Sequence, residues 1–280
     1  MNFPRLQHIS MRTLLYIGAA ALAFQAAFPF LWMVSTSLKP PPEVFATPPA
    51  FIPDEPTLEN FIRLFSATHF LTYFKNSIVV CGWAVVLTMI VSAFGAYSLT
   101  RFRYPGREKF AGLILTTYMF APIMVVIPFF ILAKKIGIEN THLALVLSFT
   151  SFCLPFTLWM MRAFFMTIPL ELEEAAMVDG CGRLRAVIFV VLPLALPGII
   201  ATSIFTFILA WNDYIFTRIL IASDELKTLP VGVQDLFNSS VIDWGLIMAA
   251  GMMITIPALV FFVAVQRYLI RGWGAGAVKG

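Results

Sequence analysis

The sequence predicts an all-α integral membrane protein with six transmembrane helices. Its 280 residues are 60% hydrophobic and only 12% charged, whereas an average soluble domain is about 25% charged. A soluble chain of this length cannot hide that much apolar surface in one core. A bilayer core of about 30 Å requires about 20 apolar helical residues, and six charge-free runs of about that length occur in the chain. Such runs suit helices rather than barrel strands, because irregular backbone cannot face lipid.

The six predicted spans are delimited by the points at which charged or polar residues resume. They cover residues 13–38, 76–100, 110–133, 143–161, 186–212 and 244–266. The first run is longer than the apolar region of a secretory signal, and no convincing cleavage site follows it, so we expect a retained anchor at about 13–36. A proline-rich stretch, residues 39–51, then forms a stiff outer connector.

The distribution of lysine and arginine predicts the orientation of the spans. If both ends of the chain lie inside, the inner segments carry 12 of the 19 basic residues and the outer segments carry 7. The short loop 101–109 is especially basic, and short loops carry most weight in the positive-inside rule. We therefore expect both termini to be cytoplasmic in the cytoplasmic membrane of a prokaryote.

Composition and motifs argue against catalysis, a metal site and nucleic-acid binding. The formal charge of +4 is too small to imply a polyanionic partner. The cysteines and histidines are far apart and at no ligand spacing, so neither a disulfide nor a metal site is expected; they are Cys81, Cys153, Cys181, His8, His69 and His142. No phosphate-binding P-loop motif is present, so we expect no ATP bound by this chain.

The most informative loop, residues 163–195, joins the fourth and fifth spans on the predicted inner side. Residues 169–179 have the signals of a short helix, with Pro169 in the first turn and acidic side chains near its amino end. Gly180 is suited to end that helix, since glycine readily adopts a left-handed conformation. Residues 183–196 follow, basic and then apolar, and we expect them to lie along the membrane surface until Pro193 and Pro197 turn the chain into the fifth span. A short cytoplasmic helix of this kind serves either as a docking element or only as a connector.

The spacing within this loop resembles the EAA loop of binding-protein-dependent ABC importer permeases. That family pattern is Glu-Ala-Ala, three residues, Gly, nine residues, an aliphatic residue, one residue and Leu-Pro. The present sequence reproduces it with Glu174-Ala175-Ala176, Gly180, Val190 and Leu192-Pro193. The resemblance favours the docking role over the connector role.

Other short motifs resemble the carbohydrate branch of these permeases, in particular the second permease of a maltose-type importer. They are Ser37-Leu38-Lys39-Pro40, Asn76-Ser77, Trp211-Asn212-Asp213-Tyr214, Thr228-Leu229-Pro230-Val231-Gly232 and the segment 266–280. The resemblance implies the type I permease fold, with an amino-terminal segment 1–70, a core domain 71–267 and a cytoplasmic tail 268–280. Trp273-Gly274 departs from the more usual Leu-Thr of the family tail.

The resemblance also implies the assembly in which such a chain works. A second permease subunit completes a heterodimer, two cytoplasmic ATPases bind ATP and Mg²⁺ beneath it, and an extracytoplasmic binding protein delivers sugar. This chain itself is a non-catalytic subunit embedded in membrane lipid, with no cofactor of its own. The predicted ATPase-docking residues are Glu173, Glu174, Ala175, Ala176, Asp179, Gly180, Leu192 and Pro193.

Candidate residues of the substrate path are aromatic and amide side chains near kinks in the spans, namely Tyr118, Phe120, Trp211 and Asn212. For each of them ordinary packing is the competing interpretation. Asp213 is expected to cap a helix or to meet a partner rather than to bind a neutral sugar. The EAA pattern alone also permits another solute, such as a sugar phosphate or a polyamine. A secondary transporter or membrane enzyme is disfavoured, because the six runs lack the ionisable residues that ion coupling requires.

Overall fold

The structure is a computed structural model that describes residues 3–239 and 241–274, and within them it contains helices and no β-strand. The terminal segment 275–280, part of the predicted tail, lies outside the described residues. The α-helices, in chain order, are α1 (Phe3–Ser37), α2 (Pro41–Val44), α3 (Glu59–Ala67), α4 (Phe70–Arg101), α5 (Arg107–Thr117), α6 (Pro122–Ile136), α7 (His142–Met166), α8 (Leu170–Val178), α9 (Arg183–Ala186), α10 (Leu192–Leu194), α11 (Leu196–Trp211), α12 (Ile215–Leu220), α13 (Leu229–Phe237) and α14 (Trp244–Gly274). A π-helical turn (Val187–Val191) joins α9 to α10, and a 3₁₀ turn (Asp224–Leu226) precedes α13.

Within the described residues, four helices are long and apolar enough to cross a membrane, and two bent helix pairs bring the number to as many as six. The single helices are Thr13–Ser37, Phe70–Arg101, His142–Met166 and Trp244–Ala264. The third and fifth predicted runs are not single straight helices. The third run bends by 97° between α5 and α6, and the fifth bends by 76° between Leu194 and Leu196. Prolines account for both bends. Pro122 restricts Ala121, which is extended at ψ 142°, and Pro197 has no amide hydrogen with which to continue the helical hydrogen bonds past Ala195.

The chain divides into two compact units, Met1–Thr68 with Asp235–Thr255, and His69–Gln234 with Ile256–Gly280. In the first unit, the Asn60 amide donates hydrogen bonds to the carbonyl oxygens of Ser37 (3.0 Å) and Lys39 (2.8 Å). The Lys39 side chain is 2% exposed, donates to the carbonyl oxygen of Ala50 and lies over the ring of Trp32. The motif Ser37-Leu38-Lys39-Pro40 is therefore held by its own unit at the end of α1.

The second unit is built around α4, which packs mainly on α7 and α11. Its inward stripe consists largely of small side chains at helical spacing: Ser77, Cys81, Ala84, Thr88, Ser92 and Ala96. Small residues let helices approach closely where lipid provides no hydrophobic driving force between them. Helix α11 also lies close to α7, because a Cβ atom at Gly198 would lie 2.3 Å from the ring of Phe164.

Many large apolar side chains of α4 and α6 point outward, and Trp83, Phe94, Ile123 and Ile127 are among the exposed residues. Two hydroxyls that are buried between α7 and α11 bond within the bundle. Thr157 Oγ lies 3.2 Å from Thr206 Oγ, and Thr157 donates to the carbonyl of Cys153 at 2.8 Å. On α4, small and polar residues on the packed side and large apolar residues on the outer side are typical of a helix whose solvent is lipid.

Candidate functional site

The short helix predicted in the loop between the fourth and fifth spans is present as α8. Pro169 precedes its first residue rather than lying within its first turn, with extended backbone at ψ 136°. Gly180 has φ +90°, so the predicted left-handed stop is correct. Its amide donates to the carbonyl of Met177 at 3.1 Å, and the next amide, of Cys181, donates to Ala176 at 3.0 Å. Nine residues at about 1.5 Å each make a rod of about 14 Å.

Most of the predicted docking residues of α8 are accessible. Glu174, Ala175, Asp179 and Gly180 are exposed, and Ala176 is half-buried. Apolar side chains share this accessibility, since Val178 is 87% exposed. The helix therefore presents carboxylates, small residues and aliphatic side chains, among them Leu172 and Val178, and the described part of the chain leaves them open.

Glu173 is the exception among the predicted docking residues, because its side chain faces the interior and is only 2% exposed. It accepts a hydrogen bond from the Tyr97 hydroxyl at Oε1, and its Oε2 lies 3.1 Å from Nε of Arg101. Arg101 also donates to the carbonyl oxygen of Ile168 at 2.9 Å. Sequence reasoning grouped Glu173 with Glu174 as docking residues, whereas the structure separates the two carboxylates, with Glu173 buried and Glu174 exposed. Nothing in the sequence distinguishes two adjacent glutamates, since only the helix phase against α4 separates them.

Beneath α8 lies an apolar cluster that joins the ends of α4 and α7 to the segment after α8. Its members are Ala96, Tyr97, Met161, Phe165, Ile168, Val187, Val191 and Ala195. Leu192 of the family pattern packs against this cluster, whereas Pro193 is exposed. The change of direction expected near Pro193 and Pro197 is present as the bend at Ala195. The loop is therefore a packed element of the second unit rather than a loose connector.

The candidate substrate-path residues occupy different surroundings. The Tyr118 ring centroid lies 6.1 Å from that of Phe152 and 5.5 Å from that of Phe156. Phe120 is exposed and, with Phe152, lines a cavity of about 130 Å³. The structure thus brings Tyr118 and Phe120 to a shared aromatic neighbour on α7.

The other two candidates, Trp211 and Asn212, differ from this pair in their contacts. Trp211 is only 1% exposed and packs against Phe207, at 5.3 Å between centroids, and edge-on to Phe74. Asn212 is exposed, but its amide donates to the carbonyl of Ile208 in its own helix at 2.8 Å. Trp211 therefore acts as core packing in this chain, which is the competing interpretation that the sequence left open.

Asp213 caps the helix that follows it, as the sequence allowed. Its carboxylate accepts from the amides of Phe216 at 3.4 Å and Thr217 at 3.1 Å. Burial raises the pKa of this carboxyl to about 6, even though the backbone hydrogen bonds from Thr217 and Phe216 act to lower it. Asp213 is thus a half-buried cap whose carboxylate is engaged by the helix that it precedes.

Fold and loop together define a helical membrane protein with a short, exposed helix between two of its spans. Residues 93–274 match the family described as "Binding-protein-dependent transport system inner membrane component". The chain belongs to this family. The EAA-type loop that suggested the family lies wholly inside the matched residues.

Individual relatives align along nearly the whole chain. It is 34% identical over 98% of its length to the trehalose/maltose transport system permease protein MalG of Thermococcus litoralis, of which 99% is covered. It is 36% identical over 94% of its length to the diacetylchitobiose uptake system permease protein DasC of Streptomyces coelicolor, of which 96% is covered. Among solved structures, a bacterial ABC transporter involved in the import of the acidic polysaccharide alginate superposes with a TM-score of 0.81 at 26% identity, over 96% of this chain and 98% of the other.

Proposed function

We propose that this protein is the permease subunit of an ATP-driven importer that carries a mono- or oligosaccharide across the cytoplasmic membrane. The observation that carries the proposal is the exposed surface of α8, with Glu174, Ala175 and Asp179 accessible at the positions of the EAA pattern. A membrane subunit of this kind has no ATP site of its own, so the energy must enter through a contact. A short rigid helix with an acidic side chain and small neighbours fits a cleft on a partner.

The choice of a sugar as the solute is supported by the relatives. Two permeases with more than 30% identity over almost the whole chain carry the names of a disaccharide and a chitobiose transport system. The short motifs of this chain point the same way, and the described spans carry aromatic side chains, such as Tyr118 and Phe120, of the kind that stack on sugar rings.

The proposed assembly follows from this role. A second permease subunit pairs with this one, two ATPases carry ATP and Mg²⁺ on the side of α8, and a sugar-binding protein meets the opposite side. Basic residues near α8, including Arg103, Arg183 and Arg185, favour the cytoplasmic location of that side and of both chain ends. The pathway itself lies in the membrane and contributes no catalytic group.

Replacement of Glu174 by alanine tests the docking. The tagged chain is purified from its native membranes, and the ATPase that accompanies it is quantified by ATP hydrolysis per mole of permease. We expect Glu174→Ala to lower the accompanying ATPase about tenfold, in the range by which truncating an interface hot spot weakens binding. The matched control is Glu139→Ala, an exposed glutamate outside the loop, which is expected to leave the amount unchanged. Equal ATPase in all three preparations would contradict docking through α8.

Substrate class is tested with the reconstituted wild-type complex and its binding protein. Radiolabelled maltose, trehalose and diacetylchitobiose are compared with spermidine and glycerol 3-phosphate. The proposal expects uptake of at least one of the sugars and of neither competitor. Uptake confined to spermidine or to glycerol 3-phosphate would replace the sugar assignment while leaving the ATPase docking untouched.

A further inference from the structure

We infer that Glu173, Tyr97 and Arg101 form an internal link that transmits the movement of α8 to α4, and that Glu173 is therefore a positioning residue rather than a docking residue. The inference rests on the proposed docking of an ATPase at α8. It divides the adjacent glutamates into two roles, with Glu174 directed to the partner and Glu173 directed to the spans. This division of roles requires no binding surface other than that of α8.

Geometry supports the link at both carboxylate oxygens of Glu173. Oε1 accepts from the Tyr97 hydroxyl, and Oε2 lies 3.1 Å from Nε of Arg101. All three side chains are shielded, since Tyr97 and Glu173 are buried and the Arg101 side chain is 11% exposed. The carboxylate is thereby held from two neighbouring turns of one helix.

Arg101 holds the loop at a second point. Its guanidinium donates to the carbonyl of Ile168 at 2.9 Å, two residues before α8 begins. One side chain at the end of α4 thus contacts both the entry to α8 and the first turn of α8. A displacement of α8 cannot leave Arg101 behind without breaking a charged contact.

The surrounding groups make this contact stiff. Phe102 packs edge-on against Tyr97 at 5.7 Å between centroids, and the Arg183 guanidinium lies 5.2 Å over the Phe102 ring. Apolar contacts in the cluster beneath are non-directional and allow sliding. The hydrogen bonds from Tyr97 to Glu173 and from Arg101 to Ile168 are directional. Separation of the shielded Arg101–Glu173 ion pair leaves an unpaired buried charge, which is strongly unfavourable.

The far end of the link is the longest helix of the second unit. α4 has 32 residues, which correspond to about 48 Å, and it packs along α7 and α11. Movement applied at Arg101 is therefore passed to a helix that contacts the two other long helices of the unit. Transmission here means that α4 moves when α8 moves, because directional contacts join the two helices.

The test measures coupling rather than docking. Glu173→Gln keeps the shape of the side chain and an acceptor for Tyr97 but removes the ion pair with Arg101. In proteoliposomes of the complete complex with its binding protein, the probe is whichever of radiolabelled maltose, trehalose and diacetylchitobiose the wild type imports fastest. We expect sugar imported per ATP hydrolysed to fall about fivefold or more, the lower end of typical coupling between linked sites, while the amount of bound ATPase stays as in the wild type.

A second variant and a control make every outcome decisive. Tyr97→Phe removes one hydroxyl and no charge, and we expect a smaller fall in the same ratio. Glu139→Gln, the same chemical change at an exposed site, is expected to leave the ratio unchanged. A purely structural role would lower yield and assembly without changing the ratio in the complexes that do assemble.

The inference is overturned if assembled Glu173→Gln complexes import sugar at the wild-type ratio, or if the Glu139→Gln ratio falls equally. Where Glu173→Gln fails to assemble, the Tyr97→Phe ratio decides, and a wild-type value there overturns the link. Failure of the proposed function is distinguishable, because the wild-type chain would then purify without any ATPase.

Discussion

Single polar side chains, in addition to apolar packing, hold the loops of the second unit against its helices. The Asn76 amide donates to the carbonyl oxygens of Glu225 (2.7 Å) and Lys227 (2.9 Å). The adjacent Ser77 hydroxyl accepts from the amide of Leu229 at 2.7 Å. The pair Asn76-Ser77, noticed in the sequence only through its resemblance to other permeases, therefore has a structural role. It ties the start of α4 to the segment that carries the Thr228–Gly232 motif.

At the same scale, Asp213 predicts a pH-dependent contribution to stability. Burial raises its pKa in the folded protein to about 6, from an ordinary value of 3.8. A carboxyl with a raised folded-state pKa favours the folded state while it is protonated. Its effect therefore becomes unfavourable as the pH rises from about 4 through about 6, by at most about 3 kcal/mol.

Asp213→Asn removes this titration while keeping an oxygen that can accept from Phe216 and Thr217. We expect the Tm of the wild-type chain in detergent to rise by several degrees more than that of the variant when the pH is lowered from 7.5 to 5. Differential scanning fluorimetry at both pH values measures the difference. Parallel Tm changes in the two proteins would contradict the raised pKa.

Among the helices, α8 depends on the way in which it ends. Gly180 adopts φ +90°, and no heavy atom lies within 4 Å of where its Cβ would be. A side chain at position 180 would strain the backbone but would not clash with a neighbour. The strain is about 1–2 kcal/mol for a residue with a β-carbon in the left-handed region. Gly182, two residues later, has φ −65° and equally open surroundings.

This contrast gives a matched pair of substitutions. We expect Gly180→Val to shift or unwind the end of α8 and to lower both the accompanying ATPase and sugar uptake several-fold, whereas Gly182→Val has little effect. Gly180→Asn should retain most activity, because asparagine tolerates the left-handed conformation. Membrane insertion, judged by yield and monodispersity, should be the same for all three. If the two valine variants were equally impaired, backbone conformation at Gly180 would not be the cause.

The elements also show where sequence patterns stop being informative. The short helix α8 and the stop at Gly180 were predictable, because proline, acidic residues and glycine act locally. The inward direction of Glu173 was not, because it depends on the distant Tyr97 and Arg101. Pro122 indicated an interruption of the third span, but not its size, since a proline alone does not fix the angle of 97° that separates α5 from α6.

For the whole molecule, composition and the position of charges were sufficient to predict a helical membrane protein, and the family match confirms the class. The substrate path was much less predictable. Aromatic residues serve equally in packing and in binding, so that Trp211 was grouped with Tyr118 although it is buried against Phe207 and Phe74. In the proposed assembly a second subunit contributes to the path, and one chain does not encode that contribution.

Orientation in the membrane is the prediction at this scale on which the docking proposal depends. In a background without native cysteines, single cysteines replace Lys135, Arg103 and Glu171, all exposed residues of the second unit. Because basic short loops stay inside, a membrane-impermeant maleimide should label position 135 in intact cells and positions 103 and 171 only after permeabilisation. The labelled bands are compared with those from a membrane-permeant maleimide, which must reach all three. Labelling of position 171 in intact cells would place α8 outside, away from any cytoplasmic ATPase, and would remove the physical basis for energy transfer through this helix.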